Sequence, residues 1–351
     1  VDVIPTRLDD PVSPMPPSGA LPAADRQLLV DWLAAGAPAH TGPECGTEPP
    51  EDVPVGPDAL DCEVTHRFEA HASSSTEPFH VPEMGAGNLY QCFTFKSPFN
   101  GTTQGTAWAP IIDDERVLHH WILYRTKTPQ PDGGVMVCNM PQDATFVAGW
   151  APGGLNFVMP DEVGLELGGP DDYFILQVHY HNIAQHADAL DKSGVAFCTT
   201  DTPRTNLAGV FTLGAVGINI PAHASDYQVN GVCPSWMTSF LTEPVYIIAS
   251  FPHMHELGRR FRTDVMRGSN EGPVENLVTV DPWVFDNQSF YAHDPPFIFN
   301  PGDAARTSCT YDNPNNYNVT FGEKTENEMC FNFVLLYPID LFTDNRQCGL
   351  L

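Results

Sequence analysis

Short apolar runs, separated by proline and glycine, recur along the chain. Its 351 residues include 34 prolines and 28 glycines, spread over the whole length. Many short apolar segments bounded by turn residues are typical of an all-β protein. The best strand candidates are nearly continuous apolar runs, as expected for strands buried in the core of a sandwich. They are Tyr90–Lys96, Val117–Arg125, Tyr173–Tyr180, Leu207–Leu213, Val245–Phe251 and Phe331–Tyr337.

One segment near the start has a different pattern. Ala23–Gly36 is rich in helix-forming residues, and its large apolar side chains recur at helical spacing. Gly36 and Pro38 are typical helix-stop residues. The following stretch, His40–Pro57, is rich in proline, glycine and glutamate, which is typical of a linker. We therefore predict a helical arm over residues 1–40, a linker over 41–58 and a β region from 59 to the end.

Composition and charge exclude several classes of protein. The formal net charge is −28, with 16 lysines and arginines against 44 acidic residues. Neither nucleic acid nor an anionic membrane surface is an expected partner, because both attract basic footprints. No apolar run approaches the roughly 20 residues of a membrane span. The nine cysteines contain no C-x-x-C pair, so they favour disulfides and a secreted or periplasmic location.

The histidines in three of the apolar runs are the main candidates for chemistry. His253 and His255 are two residues apart, so in a strand both rings leave the same face and can bind one ion. An isolated H-x-H motif is more often a hydrogen-bonded pair in a strand. His179 and His181 also share a face; both could bind an ion, or only one of them.

His119 and His120 are adjacent, which sends their side chains to opposite faces of a regular strand. Both can bind one ion only at a strand end or at a β-bulge. The alternative is one core histidine and one surface histidine. No nucleophile elbow, P-loop, dinucleotide-binding loop or H-E-x-x-H motif is present. A Ser-His-Asp triad stays open because triads have no fixed spacing.

The order of these motifs resembles the copper type II, ascorbate-dependent monooxygenases. The matching segments are VLHHWIL, YFILQVHY, HMHELG and NEMCFNF, with GWAP before the second. The resemblance covers roughly residues 61–351. That family includes peptidylglycine α-hydroxylating monooxygenase and dopamine β-monooxygenase.

The resemblance implies two copper sites per chain. One copper donates electrons and the other binds O2; imidazole suits copper, and a thioether favours Cu(I). An external one-electron reductant, ascorbate in the family, reduces both. The family has no ligand at His181, and Gln177 matches a position near the electron-transfer route. The implied ligands are His119, His120 and His179 for the electron-donating copper, and His253, His255 and Met329 for the oxygen-binding, catalytic copper.

The resemblance also implies disulfides. Cys62 occupies the position of an early family cysteine whose usual partner position, near Lys192, is not a cysteine here, so Cys198 is the expected partner. Cys45 is left over in the linker. The pairs that match the family by position are Cys92–Cys138, Cys233–Cys348 and Cys309–Cys330.

The substrate positions depart from the peptide-amidating members. Those enzymes hold the substrate carboxylate with an arginine where this chain has Phe251, and with an asparagine and a tyrosine where it has Phe331 and Phe333. Phenylalanine cannot form a guanidinium–carboxylate pair. We therefore expect a small, uncharged or cationic substrate, aromatic or with a comparably weak C–H bond, and no amidation of glycine-extended peptides.

The arm has a resemblance of its own. Residues 13–17, with the helix that follows, are similar to the last third of bacterial class I cytochrome c domains, although the haem-attachment motif C-x-x-C-H is missing. This similarity points to a cytochrome-type electron donor as a partner. A proline-rich arm that ends in one helix explains the segment equally well.

The expected architecture is two antiparallel β-sandwiches of jelly-roll type, over residues 59–205 and 206–351. In the family the two coppers face each other across a solvent-filled cleft. The expected function is hydroxylation of a C–H bond with O2. The main alternative is a non-enzymatic copper-binding or electron-transfer protein of the same fold. A carbohydrate-binding or protein-binding jelly roll would leave the six ligands unexplained.

Overall fold

The computed structural model describes residues 23–34, 53–73, 76–83, 88–141, 143–285, 287–342 and 346–349. The cytochrome-like residues 13–17, most of the predicted linker and Cys45 lie outside these ranges. Helix α1 spans Ala23–Ala34, as predicted from its composition, and Gln27 donates a hydrogen bond to Asp31 one turn later, at 2.7 Å. Residues 35 and 36, the predicted end of this helix, are outside the described part.

The β region consists mainly of short β-strands and contains few helical turns. The first half of the strands is β1 His66–Glu69, β2 Phe79–His80, β3 Asn88–Lys96, β4 Thr103–Ile111, β5 Leu118–Thr126, β6 Gly134–Val137, β7 Thr145–Trp150, β8 Phe157–Val158, β9 Val163–Gly168, β10 Tyr173–His181, β11 Leu190–Asp191 and β12 Gly194–Thr200. The second half is β13 Asn206–Ala215, β14 Asn219–Ile220, β15 Tyr227–Cys233, β16 Val245–His253, β17 Gly258–Met266, β18 Val274–Val280, β19 Tyr291–Phe299, β20 Ala304–Tyr311, β21 Val319–Thr320, β22 Cys330–Tyr337 and β23 Gln347–Cys348. The helical turns are α2 Ser235–Thr238 and two 3-10 turns, Pro57–Ala59 and Ile339–Leu341.

All six predicted strands are present, and the all-β fold class is confirmed. In the first sandwich, a sheet of order β6-β3-β10-β5-β7 packs on the strands β1-β12-β4-β9. Phe68 and Phe174 meet across these layers at 4.6 Å between ring centroids. β10 is the central strand of its sheet and is buried over most of its length, which explains its largely apolar sequence.

The second sandwich pairs a sheet of order β15-β20-β17-β18 with the strands β13-β22-β16-β19. Its core includes Val265 and Leu336, which are almost completely buried. β13 also runs parallel to β9, so one ten-stranded sheet continues from the first sandwich into the second. The sequence pattern did not predict this continuity. The boundary predicted between residues 205 and 206 falls in the connection from β12 to β13 and stays a prediction.

Disulfide bonds cross-link both sandwiches. The described cysteines form Cys92–Cys138, Cys233–Cys348 and Cys309–Cys330, which match family pairs by position, and Cys62–Cys198, which was expected in place of the family's usual pairing. Cys309–Cys330 joins β20 to the start of β22, directly after Met329. Within the described ranges, no helix is long and apolar enough to span a membrane.

Candidate functional site

The first histidine cluster depends on a β-bulge. His120 pairs with His179 across β5 and β10, but the next pair is Leu118 with Tyr180, so His119 is an extra residue in β5. The bulge brings the two adjacent side chains together: the Nδ1 atoms of His119 and His120 lie 3.0 Å apart. The Nδ1 of His179 lies 3.1 Å from that of His119. A bulge is one of the two arrangements that the sequence required for a shared ion.

Electrostatics keep these three imidazoles neutral. Burial is the main cause: it lowers the pKa of His119 to about 4 and holds the pKa of His120 and His179 well below the usual value. The positive charges that the neighbouring histidines would carry lower each pKa further. A neutral imidazole has a lone pair on one nitrogen. Three such rings with converging Nδ1 atoms form a donor set of the kind that binds a metal ion.

The second histidine pair lies at the end of β16 and just beyond it. The rings of His253 and His255 are 5.2 Å apart and nearly perpendicular. The Nδ1 of His253 lies 2.8 Å from Oε1 of Gln288, and the Nδ1 of His255 lies 3.0 Å from the carbonyl oxygen of Asn327. A carbonyl oxygen only accepts, so each Nδ1 carries the proton and each Nε2 keeps its lone pair. The second pair therefore offers the lone pairs of its Nε2 atoms to an ion, whereas the first cluster offers those of its Nδ1 atoms.

Met329 lines the same cavity as His253 and His255 and is 4% exposed. The preceding residue, Glu328, is completely buried and accepts backbone hydrogen bonds from His255 at 2.9 Å and Leu257 at 2.7 Å. Burial raises the pKa of Glu328 to about 8, although these hydrogen bonds oppose the shift. Glu328 thus connects the turn that carries His255 to the segment that carries Met329, directly before β22.

The two histidine clusters are neighbours in this structure. The ring centroids of His120 and His253 are 6.2 Å apart, and Phe285 lies between the clusters, 4.9 Å from His119 and 6.3 Å from His255. The cavity beside them measures about 30 Å³. The solvent-filled cleft expected from the resemblance is therefore wrong for this structure, because aromatic side chains close the space. A cavity of this size holds one or two water molecules.

Two of the three predicted substrate-pocket phenylalanines line the cavity. β16 and β22 pair Phe251 with Phe333 and His253 with Phe331. Phe251 and Phe333 are part of the cavity wall, together with Trp150. Phe331 is not part of this wall: its ring packs 5.6 Å from Phe333, towards the second sandwich. Strand alternation gives Phe331 and Phe333 the same face, but only tertiary packing decides which ring reaches the cavity.

The remaining predicted positions surround the clusters. The ring of His181 lies 5.8 Å from that of His119 and 6.3 Å from that of His179, beside the cluster that it was not expected to join. Gln177 lines the cavity, and its side-chain amide contacts the sulfur of Cys138 at 3.8 Å. Both residues lie near the clusters, as expected.

Sequence reasoning missed several residues of the site. Gln288, which contacts His253, lies in a loop with no metal-binding motif. Tyr90 stacks on His179 at 4.2 Å with nearly parallel rings, and Glu323 lines the cavity. None of these residues lies near a ligand in the sequence, except that Glu323 precedes Met329 by six positions. The sequence carried no signal that could have identified them.

Comparisons with known proteins agree with this geometry. Two family models match the chain: the copper type II ascorbate-dependent monooxygenase N-terminal domain over residues 74–187 and the corresponding C-terminal domain over residues 206–349. All six candidate ligands fall within these ranges. Neither model reaches the arm, and the cytochrome-type electron donor expected from the arm gains no support.

Curated relatives are hydroxylases and monooxygenases. The chain is 31% identical to a tyramine β-hydroxylase of Caenorhabditis briggsae over 76% of its length and 48% of that protein. It is 31% identical to the DBH-like monooxygenase protein 1 of Mus musculus, over 74% of this chain and 46% of the relative. It is 32% identical to the dopamine β-hydroxylase of Homo sapiens, over 66% and 40%. The chain thus spans about half the length of these relatives or less. It belongs to the copper type II ascorbate-dependent monooxygenase family.

Proposed function

We propose that this chain hydroxylates a C–H bond of a small substrate with O2, using two copper ions and an external one-electron reductant. The observation that carries the proposal is the adjacency of two neutral histidine clusters, one with Nδ1 atoms converging and one with Nε2 atoms free beside a buried methionine. A non-enzymatic copper store does not require two clusters within 6.2 Å of each other.

The residues present fit copper. The ligand atoms of His119, His120 and His179 lie within 4.8 Å of one another, close enough to share one ion. Binding through Nδ1 would leave the proton of His119 on Nε2, which is buried without a hydrogen-bond partner in the described part of the chain. His119, His120 and His179 would hold one ion, and His253, His255 and Met329 the other. When bound, copper would supply O2 reduction coupled to C–H hydroxylation, with ascorbate or another one-electron donor restoring the reduced state.

The protein's own residues would orient the ligands and exclude water. Gln288 and the carbonyl of Asn327 hold the two imidazoles of the second cluster in one tautomer. Trp150, Phe251 and Phe333 form apolar walls around a cavity of about 30 Å³. Excluding water from such a site suppresses side reactions of reactive intermediates.

The cavity favours a neutral or cationic substrate over a carboxylate. Phe251 and Phe333 offer apolar contact, worth roughly 25 cal/mol per Å² buried. A carboxylate beside these rings would lose its water and gain no hydrogen bond, at a cost of several kcal/mol. The four disulfides favour folding in an oxidising compartment, which supports a secreted or periplasmic location.

Metal analysis and turnover together test the proposal. We expect about two coppers per chain, and copper-dependent, reductant-dependent O2 uptake with a small aromatic substrate. Met329→Ile should abolish turnover while the first cluster keeps its copper. Copper binding without reductant-coupled O2 uptake would favour the non-enzymatic alternative. Tetrahedral zinc at both clusters would contradict the assignment altogether.

A further inference from the structure

A second cavity, the joint cavity, lies where the first sandwich meets β13 and the C-terminal segment. It measures about 740 Å³, against about 30 Å³ for the cavity beside the histidines. Met140 and Phe333 line both, so the two cavities share a wall. Pockets that bind small organic molecules measure about 300–1,000 Å³. The joint cavity therefore has room for such a molecule next to the candidate copper site, and neither histidine cluster uses it.

Two arginines give one side of the joint cavity a positive charge. Arg125 and Arg346 both contact the same carboxylate oxygen of Glu166, at 2.9 Å and 2.7 Å. A guanidinium group carries five N–H donors, more than one shared oxygen can accept, and two such groups outweigh one carboxylate in charge. Asp143, the other acidic residue among the described lining residues, is exposed to solvent, which screens its charge. In a chain with a formal net charge of −28, this site favours an anion.

A buried hydroxyl group in the same wall lacks a partner. Tyr124 lines the joint cavity and is 4% exposed, and its hydroxyl has no hydrogen-bond partner within the described residues. Burial raises the pKa of Tyr124, so the phenol stays protonated and can donate. Buried polar groups are nearly always hydrogen-bonded in folded proteins. A ligand with an oxygen acceptor would supply the missing partner.

β5 connects the joint cavity to the first histidine cluster. Tyr124 and His120 are four residues apart on this strand and pair in regular register with β10. Their side chains therefore lie on the same face of the sheet, roughly 13 Å apart along the strand. Ile122, between them, lines the cavity beside the histidines. Electrons cross such distances through packed protein without direct contact between donor and acceptor.

We infer that the joint cavity binds the external reductant as an organic anion with hydroxyl groups, the chemistry of ascorbate. The two guanidinium groups would bind its charge, and the hydroxyl of Tyr124 would donate to one of its oxygens. Each bound ascorbate monoanion would give one electron to a Cu(II) ion at the first cluster, which becomes Cu(I). The ascorbate would lose one proton to water and leave as the ascorbyl radical anion. This inference rests on the proposed function for the need of a reductant.

Two measurements on the wild type test this site without a hydroxylation substrate. Anaerobic calorimetry with the Cu(I)-loaded protein, which accepts no further electron, gives the Kd of ascorbate. Rapid-freeze EPR of the Cu(II)-loaded protein gives the rate at which ascorbate reduces the copper. We expect one ascorbate bound per chain, and a reduction rate that saturates at concentrations close to this Kd. An uncharged reductant, N,N-dimethyl-1,4-phenylenediamine, serves as the comparison.

Tyr124→Phe removes the hydroxyl and keeps the ring. The Kd of ascorbate and the half-saturating concentration should rise about 2- to 10-fold, the effect of one neutral hydrogen bond. The Tm should not fall, because the hydroxyl has no partner within the described residues. Reduction by the phenylenediamine should keep its wild-type rate.

Gln347→Glu adds a negative charge to the wall of the joint cavity at an exposed position. The Kd of ascorbate should rise about 2- to 5-fold, and by more at low salt, because the added charge repels the anion. Gln228→Glu places the same charge on an exposed residue of β15 that does not line this cavity. It should leave the Kd unchanged.

Other outcomes overturn the inference. A reduction rate that rises linearly with ascorbate, without heat of binding, would mean that the reductant reacts at the copper ions directly. An unchanged Kd in both Tyr124→Phe and Gln347→Glu would place ascorbate elsewhere. Equal slowing of both reductants by Tyr124→Phe would indicate a disturbed copper site. If ascorbate binds and reduces copper as expected but no compound is hydroxylated, the inference stands and the proposed function fails.

Discussion

At the scale of single residues, hydrogen bonds to Nδ1 decide which nitrogen His253 and His255 can offer to an ion. His253 and His255 both have carbonyl-type acceptors at Nδ1, one from the side chain of Gln288 and one from the backbone of Asn327. Such acceptors fix the tautomer and the orientation of a ligand ring. The identity of the ligand can be predicted from a motif, but the nitrogen that it offers depends on these partners.

Replacing Gln288 by Ala should weaken copper binding at the second cluster. The His253 ring would lose its acceptor and its fixed tautomer, which for residues of this kind costs about 10- to 100-fold in metal affinity. Competition titration with a copper chelator measures the change, and copper at the first cluster should be unaffected. Asn327→Ala is a matched control, because the backbone carbonyl that contacts His255 remains. Equal affinities for wild type and Gln288→Ala would contradict the role assigned to Gln288.

We expect Phe251 to set the response to carboxylates. The unmodified protein should not hydroxylate glycine-extended peptides, because the described wall of the cavity contains no lysine or arginine that could pair with a carboxylate beside this ring. Phe251→Arg should increase the affinity for such a peptide by about 10- to 100-fold through a charge-assisted pair. Phe251→Leu, which removes the ring without adding charge, should not. Calorimetry with one peptide tests all three proteins, and efficient turnover of the peptide by the wild type would refute the prediction.

At the scale of elements, strands and their irregularities bring the ligands together. The bulge at His119 makes two adjacent residues converge, which a regular strand forbids. The second cluster combines the end of β16 with the start of β22, two strands that are paired in one sheet. Glu328 joins these segments through hydrogen bonds to the backbone of His255 and Leu257.

The Cys309–Cys330 disulfide should stabilise the element that carries Met329. The bond closes a loop of 21 residues, for which the chain-entropy model gives about 3 kcal/mol. The double substitution of both cysteines by serine should lower the free energy of unfolding by about that amount. It should also weaken copper binding at the second cluster more than at the first. Denaturant unfolding and copper titration measure the two effects; equal weakening at both clusters would indicate general destabilisation instead.

At the scale of the whole molecule, the two sandwiches share one β-sheet. The shared sheet runs through β9 and β13, and an ion cluster lies beside this joint. Glu166 on β9 contacts Arg125 at 2.9 Å and Arg346 at 2.7 Å, and all three side chains are largely buried. Since β5, β9 and the C-terminal segment meet there, the cluster connects parts of the chain that are distant in sequence.

Glu166→Gln should destabilise this joint and change its pH dependence. Burial alone would raise the pKa of Glu166, but the two arginines outweigh it, and the pKa is lowered from its usual 4.5. A carboxyl group whose pKa is lower in the folded than in the unfolded state stabilises the fold at pH values above its unfolded pKa. This stabilisation is lost as the pH falls below about 4.5. We expect a loss of about 2–4 kcal/mol at pH 7 that shrinks in acid.

Thermal unfolding of both proteins from pH 7 to pH 3 measures this effect. The difference in Tm should be largest at neutral pH and decrease as Glu166 becomes protonated in the wild type. Glu326→Gln, in an exposed pair with Lys324 at 3.9 Å, should have little effect at any pH. A pH-independent difference for Glu166→Gln would exclude the proposed electrostatic origin.

The sequence by itself determined the fold class, the candidate ligands and the disulfide pairs. Strand patterns depend on local alternation and turn residues, so they can be predicted without tertiary contacts. The motifs with the candidate ligands are short and lie on strands or directly beside their ends, and their order along the chain was sufficient to indicate the family. The pairing of Cys62 with Cys198 was expected because the family's usual partner position, near Lys192, is not a cysteine in this chain, and the structure contains that bond.

Only the tertiary structure decided how these parts meet. The bulge at His119, the acceptors of the second cluster and the position of Glu323 in the cavity wall all arise from contacts between residues far apart in sequence. The closed space between the clusters and the position of Phe331 outside the wall likewise depend on how the two sandwiches pack. Local propensity carries no information about such contacts, because each is a property of two surfaces that become neighbours only after folding.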